Sequence, residues 1–244
     1  MDVKILHFYP ELMSLYGSYA NVSVVRRALE RLGHSVRVEY VAPGGQADLS
    51  DADFLFVGAG TERAQKAALA DILRFAPALR DAEARGVTML FAGNSMELLG
   101  RSITDRDGTV YPALELADFV SVQGGERFTG DVYGHTALFD APVVGFMNKC
   151  SRITGVSSPL LHTLDMGFGN DGPCAPEGFC GRGVFASELT GPIMVKNPQL
   201  LRTVIASIHA SRGLETPELE EDRFMVQSYR VTEEQLRARC ARRG

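Results

Sequence analysis

The stretch V-T-M-L-F-A-G-N-S-M-E-L-L-G, Val87 to Gly100, decides how the chain is read. Its first six residues form a nearly continuous apolar run of strand length, the pattern of a parallel strand covered on both faces. Three small residues follow, Gly93, Asn94 and Ser95, and then Met96, Leu98 and Leu99 open an apolar helix start. A buried strand passing through a tight turn into a helix is the unit of an α/β sheet.

The segments upstream extend that sheet. Val3 to Phe8 is a short strand pattern ended by Pro10, and Val22, Val25, Leu29 and Leu32 are spaced for one face of a helix. Asn21 is the expected cap of that helix and Gly33 its expected stop. S-V-R-V-E-Y-V, Ser35 to Val41, alternates as a half-buried strand does. Phe54 to Val57 is a second run apolar throughout, closed by Gly58-Ala59-Gly60. Glu62 to Phe75 is helical in pattern, Pro77 interrupts it, and a further helical stretch runs to Arg85. Strands alternating with helices predict a mostly parallel sheet flanked by helices.

Downstream the character changes. Ala117 to Val122, Arg127 to Tyr133 and Val143 to Met147 are strand-like runs separated by glycine-rich turns, an added antiparallel region. Residues 167–183 read as a loop with six glycines and two prolines, long enough to be functional or mobile. Val184 to Leu189 is one more strand. Asn197 to Ser211 is a helix with Pro198 in its first turn and Gly213 beyond its end. From about residue 216 the tail is highly charged, with a short helix expected over 233–242; Arg237, Arg239, Arg242 and Arg243 read as a solvated face. No repeat or linker divides the chain, so residues 1–244 are read as one domain.

Composition narrows the function. Apolar residues make up 45% and charged residues 23% of 244, which excludes wholesale disorder. The net charge of -5 and the lack of a basic stripe argue against nucleic acid as a partner. No apolar run reaches the roughly 18 residues of a membrane span, and the N-terminus lacks a secretory pattern, so a cytoplasmic protein without membrane insertion is expected. Four irregularly spaced cysteines fit neither a disulfide scaffold nor a zinc site, and no metal or cofactor is expected. The five histidines are scattered singly and read as packing or surface residues.

The strand–turn–helix at 87–100 resembles the nucleophile elbow of class I glutamine amidotransferases, in which the turn lifts a cysteine out of the sheet beside backbone N–H groups that face an oxyanion. Four segments bring the likeness closer, to the CobB/CobQ-like subgroup and within it to the GatD-type glutaminase subunit of lipid II isoglutaminyl synthase. They are Tyr9–Gly33, Val57–Gln65, the elbow itself, and Gly191–Leu201 with its Lys196-Asn197-Pro198. G-G-E-R-F-T-G-D at 124–131 and G-F-M-N-K-C-S-R-I-T-G at 145–155 add to it, so the resemblance covers nearly the whole chain. It implies a flavodoxin-like sheet of the class I amidotransferase type, glutamine or a related small molecule as ligand, and a heterodimer. The implied partner is a MurT-like Mur ligase that amidates the D-glutamate of the peptidoglycan precursor stem.

The departures carry as much weight. Where the family reads C-G-G-Y-Q, this sequence reads Gly93-Asn94-Ser95-Met96-Glu97, and Thr190 stands where the family's histidine precedes Gly-Pro. The family's N-H-G-G-R-T strand end is here Asn148-Lys149-Cys150-Ser151-Arg152-Ile153. Glycine has nothing to attack with, and threonine cannot shuttle a proton near neutral pH. Losing such a nucleophile or base removes catalysis on the order of a million-fold in a serine hydrolase. Hydrolysis by the Cys–His route is therefore not expected, and Gly93 reads as a residue that adopts strained turn dihedrals at least cost.

Two residues are fallback nucleophiles. Ser95 lies just past the turn, and its alternative reading is a small residue that lets strand and helix pack closely. Cys150 is either a low-pKa thiol beside Lys149 or a packed thiol at a strand end. The ligand-binding candidates are Gly58 and Gly60, whose amides either cradle an anion or only form a tight turn, with Asn94 and Arg127, the last either the match of a family arginine that holds glutamine or an exposed strand charge. Three readings stay open: a non-hydrolysing subunit that docks on or regulates a ligase, an active enzyme with a rearranged nucleophile, and a stand-alone small-ligand-binding protein.

Overall fold

The computed structural model describes residues 1–216 and 218–242. In chain order its elements are β1 (Asp2–Phe8), α1 (Ala20–Arg31), β2 (Ser35–Val41), β3 (Phe54–Val57), α2 (Glu62–Ile72), α3 (Ala76–Ala84) and β4 (Thr88–Ala92). There follow β5 (Ser102–Thr104), β6 (Val110–Pro112), β7 (Val120–His135), β8 (Val143–Thr154), β9 (Thr163–Met166), β10 (Phe179–Cys180) and β11 (Val184–Ser187). Three helices close the order: α4 (Ile193–Lys196), α5 (Pro198–Ser211) and α6 (Arg223–Ala241).

The main sheet runs β10-β11-β4-β3-β1-β2, parallel throughout except for β10. Strand alternation divides its side chains between two cores. Leu6, Phe8, Met89 and Phe91 pack with Leu69, Ile72 and Leu79 of α2 and α3. Val3, Ile5, Leu90 and Ala92 pack with Val22, Val25 and Leu29 of α1 and with Leu200, Val204 and Ile208 of α5. Both faces are covered, which is why β3 and β4 read as unbroken apolar runs.

A second sheet, β6-β5-β7-β8 with β9 on β7, is built on the long β7–β8 hairpin. The two runs at 117–122 and 127–133 are one strand, β7, whose register against β8 shifts between Gln123 and Phe128. An antiparallel bridge between Met147 and Leu189 brings β8 against the chain leaving β11. That contact places Asn148 to Cys150 over the C-terminal edge of the main sheet.

Several local expectations are corrected. Residues 93–99 form a 3₁₀ segment instead of an α-helix, and Gly100 then passes against the Phe119 ring, where a β-carbon would lie 2.7 Å from it. Asn21 does not cap α1; the cap is Tyr19, without a side-chain bond. Asn21 is buried as the second residue of α1, where its Oδ1 accepts from the Met194 amide (3.0 Å) and its Nδ2 donates to the carbonyls of Ser18 (3.0 Å) and Gly191 (3.3 Å). It ties α1 to the segment after β11. Gly33, with φ +81°, does end α1.

The terminal helix is longer than expected. Asp222 starts it by accepting from the amides of Phe224 (3.0 Å) and Met225 (3.3 Å), and Tyr229 and Leu236 bury against Tyr133 and Val144. Arg237 and Arg239 stay exposed but pair with Glu233 and Asp131; Arg243 lies outside the described residues. The glycine-rich segment is held by Asn170, which exchanges two side-chain bonds of 2.9 Å with the Gly178 backbone. Among the described residues no helix is long and apolar enough to cross a membrane.

Candidate functional site

Beyond the C-terminal ends of β3, β4 and β11, and against the middle of β8, lies a cavity of about 120 Å³. Its walls include Tyr16, Gly60, Glu62, Asn94, Arg127, Cys150 and Thr190. Open α/β sheets bind ligands at this edge. The volume is well below the roughly 300 Å³ at which small-molecule pockets begin.

The turn after β4 keeps the left-handed backbone of an elbow, with Gly93 at φ +71°. A β-carbon built on Gly93 would lie 2.6 Å from Ala59 Cβ, closer than two carbons approach. Nor are the neighbouring amides open. The Gly60 N–H donates to Asn94 Oδ1 (3.0 Å), Asn94 Nδ2 donates back to the Gly60 carbonyl (2.9 Å), and the Ala59 N–H faces Ser18 Oγ (3.4 Å). The Thr190 hydroxyl donates to the Phe146 carbonyl at 2.9 Å. Among the described residues no histidine lines the cavity: His34 faces His209, His135 faces Asp165, and His7 lies on β1.

The opposite rim is a chain of polar contacts. Asn148 donates to the Tyr16 hydroxyl (2.9 Å) and accepts from Arg127 Nε (2.9 Å). Arg127 Nη1 bonds Glu62 Oε1 (2.8 Å), and the same oxygen accepts from the Cys150 thiol (3.3 Å). Burial pushes the Glu62 carboxyl up, but its place in the first turn of α2 and the bonds from Arg127 and Cys150 win, so its pKa lies below the ordinary value. Burial, and then Glu62 itself, push the Cys150 thiol up, outweighing Arg106.

A glutamine amidotransferase domain model of the CobB/CobQ-like type matches residues 4–197. The chain belongs to that family. It is 24% identical over 213 residues to the GatD subunit of the glutamine-hydrolysing lipid II isoglutaminyl synthase of Staphylococcus aureus, covering 87% of each chain. The subunit of the same name in Streptococcus pneumoniae is 27% identical over 214 residues, covering 84% of this chain and 80% of that one. A glutamine amidotransferase of Thermotoga maritima has the same fold, with a TM-score of 0.52 at 9% identity over 97% of this chain and 94% of the other.

For an amidotransferase-family chain, the candidates sort unevenly. Gly60, Asn94, Arg127, Cys150 and Thr190 meet at one cavity. Gly58 does not line it: a β-carbon there would collide with the Met13 carbonyl and Ser18 Oγ, so this glycine admits the 13–18 turn. The expected anion cradle at Gly58–Gly60 is occupied by Asn94 and Ser18 side chains. Ser95 is fully buried, outside the cavity, with its hydroxyl 2.9 Å from the Val57 carbonyl and 3.1 Å from that of Ala92; it is the packing residue of its alternative reading. The low-pKa reading of Cys150 is corrected, because Lys149 reaches away to the Asn170 carbonyl (2.9 Å) and the thiol faces a carboxylate instead.

Sequence reasoning missed Glu62 and Glu97, the second a buried carboxylate on the cavity wall that accepts from Ser121 Oγ and from Gln123 Nε2 (3.1 Å). It also missed two buried carboxyls of the β11 end. Glu177, accepting from the Glu188 amide (2.7 Å) and from Ser187, is pushed up to about 7 by burial, and Glu188 is raised by burial too. A signal existed only for Glu62: Thr61, which accepts from the Ala64 amide (3.1 Å), marks a helix start directly after Gly60.

Proposed function

We propose that this chain is a GatD-like subunit that does not hydrolyse glutamine and acts as the partner or regulatory subunit of a MurT-like Mur ligase in the cytoplasm, in lipid II amidation. The observation that carries this reading is the 2.6 Å between Ala59 Cβ and the position a nucleophile's β-carbon would take at residue 93. The site has lost the sulfur and also the space for its first carbon. Asn94 then supplies to the Gly60 amide the hydrogen bond that an oxyanion would otherwise make, and Thr190 gives its proton to a carbonyl. Burial and Glu62 push the Cys150 thiol above its ordinary value, the opposite of what a neighbouring histidine does for a nucleophile. Such a subunit serves its ligase by docking, while the ligase takes ammonia from solution.

The test is ammonia release from glutamine, measured for the chain alone and with its Mur-ligase partner, beside the ligase's use of free ammonium. The expected result is amidation with ammonium and none with glutamine. Glutamine turnover that Cys150→Ala abolishes would overturn the reading in favour of a rearranged nucleophile. A ligase that neither binds the chain nor responds to it would leave the stand-alone binding protein.

A further inference from the structure

A second cavity, of about 340 Å³, opens on the other side of the 14–19 segment, where α1 meets the ends of β1 and β2. It is lined by His7, Ser14, Tyr19, Val22, Ser23 and Tyr40, and it is nearly three times the volume of the cavity behind Arg127. We propose that this notch binds a small planar heteroaromatic ring carrying both an N–H donor and a ring-nitrogen acceptor, the chemistry of a nucleobase.

Two independent observations converge on it. The first is His7. It stands in V-K-I-L-H-F, where the strand otherwise turns only aliphatic side chains toward α1, and it is 2% exposed. Its Nε2 is buried with no hydrogen-bond partner among the described residues. A buried polar atom left unpaired costs about 1–3 kcal/mol, and such atoms call for a reason. Burial lowers the imidazole pKa to about 4, so the ring is neutral at physiological pH. A neutral imidazole nitrogen donates or accepts according to tautomer, and a ligand offering both kinds of group satisfies either.

The second observation is the pair of rings at the mouth. Tyr19 and Tyr40 are 57% and 66% exposed, large aromatic surfaces left to solvent on a chain that buries most others. The Tyr40 ring centroid already lies 5.6 Å from that of His7, and the Phe56 ring packs against His7 at 5.1 Å. Stacking on tyrosine suits any flat π system, whereas hydrogen bonding to His7 rejects pure hydrocarbons.

The experiment titrates the full chain with adenine, with benzimidazole, and with indene, the hydrocarbon of the same shape as benzimidazole, following tyrosine and histidine ring resonances by NMR. Saturable shifts at Tyr19, Tyr40 and His7 are expected for adenine and benzimidazole, with indene bound about tenfold more weakly. Tyr40→Ala, at an exposed position, is expected to weaken adenine about tenfold. His7→Phe is expected to erase the preference for benzimidazole over indene. Equal binding of benzimidazole and indene to the natural chain, no shifts at millimolar probe, or adenine binding unchanged by Tyr40→Ala would each overturn the proposal. Because the Tyr40 arm is read on a surface residue, it stands even if His7→Phe fails to fold.

Discussion

The Gly93 turn and the β8 rim face the same small cavity from opposite sides, and they are closed by different forces. At the turn the closure is steric: a left-handed backbone, a methyl group of Ala59 against it, and an asparagine side chain on the Gly60 amide. At the rim it is electrostatic: Arg127 and Cys150 share one oxygen of Glu62. Steric closure cannot be reversed by a ligand, because no binding energy restores a missing β-carbon. A half-exposed ion pair can be exchanged for a ligand's own charges at little cost, since such pairs contribute about 0–1 kcal/mol. The cavity is thus closed by fixed contacts at the turn and by an exchangeable ion pair at the rim.

Substitutions break or sharpen that contrast, and the largest effect belongs to the turn. Gly93→Cys is expected to lower stability by about 2–5 kcal/mol, through left-handed strain and overpacking against Ala59, without producing glutaminase activity. Denaturant unfolding checks it, and adding Ala59→Gly is expected to recover the overpacking part only. Next is Glu177→Gln. A carboxyl whose folded pKa is raised from 4.5 to about 7 contributes stability that is complete below pH 4.5 and lost as pH rises through 7. Subtracting the variant's stability profile from that of the natural chain is expected to show a decline of about 3 kcal/mol across that window.

Asn94→Ala comes third. Losing its two bonds to Gly60 is expected to cost about 1–2 kcal/mol in denaturant unfolding, and to free an amide in the cavity. Glu62→Ala is the smallest in stability, at about 1 kcal/mol or less, because its partner Arg127 is partly exposed. Its informative readout is Cys150: with the carboxylate gone the thiol pKa falls, and alkylation by iodoacetamide near pH 8 speeds up. If Glu62→Ala proves as costly as Gly93→Cys, the distinction between the two halves fails.

The sheet was legible because parallel strands buried on both faces write themselves as unbroken apolar runs, as at Phe54–Val57 and Thr88–Ala92. Strand β7 was read in two pieces because Gly124 and Gly125 sit where its register slips against β8. Helix α6 was shortened because its charged face hides two buried anchors, Tyr229 and Leu236, one heptad apart. At the site, Gly93 and Thr190 stood out only against a family pattern. Of the two readings of Cys150 the packed thiol holds; the low-pKa one fails because neighbours on a strand point to opposite faces, so Lys149 never meets the thiol it precedes. Glu97, Glu177 and Glu188 were invisible as site residues, since a carboxylate is read as surface until a distant strand covers it.

The most direct measurement of the central claim is intact-mass analysis after incubation with a glutamine-analogue diazoketone, an electrophile that alkylates a working glutaminase nucleophile, with and without the proposed Mur-ligase partner. The account predicts an unmodified chain in both cases. A single stoichiometric adduct mapping to Cys150 or Ser95 would contradict it.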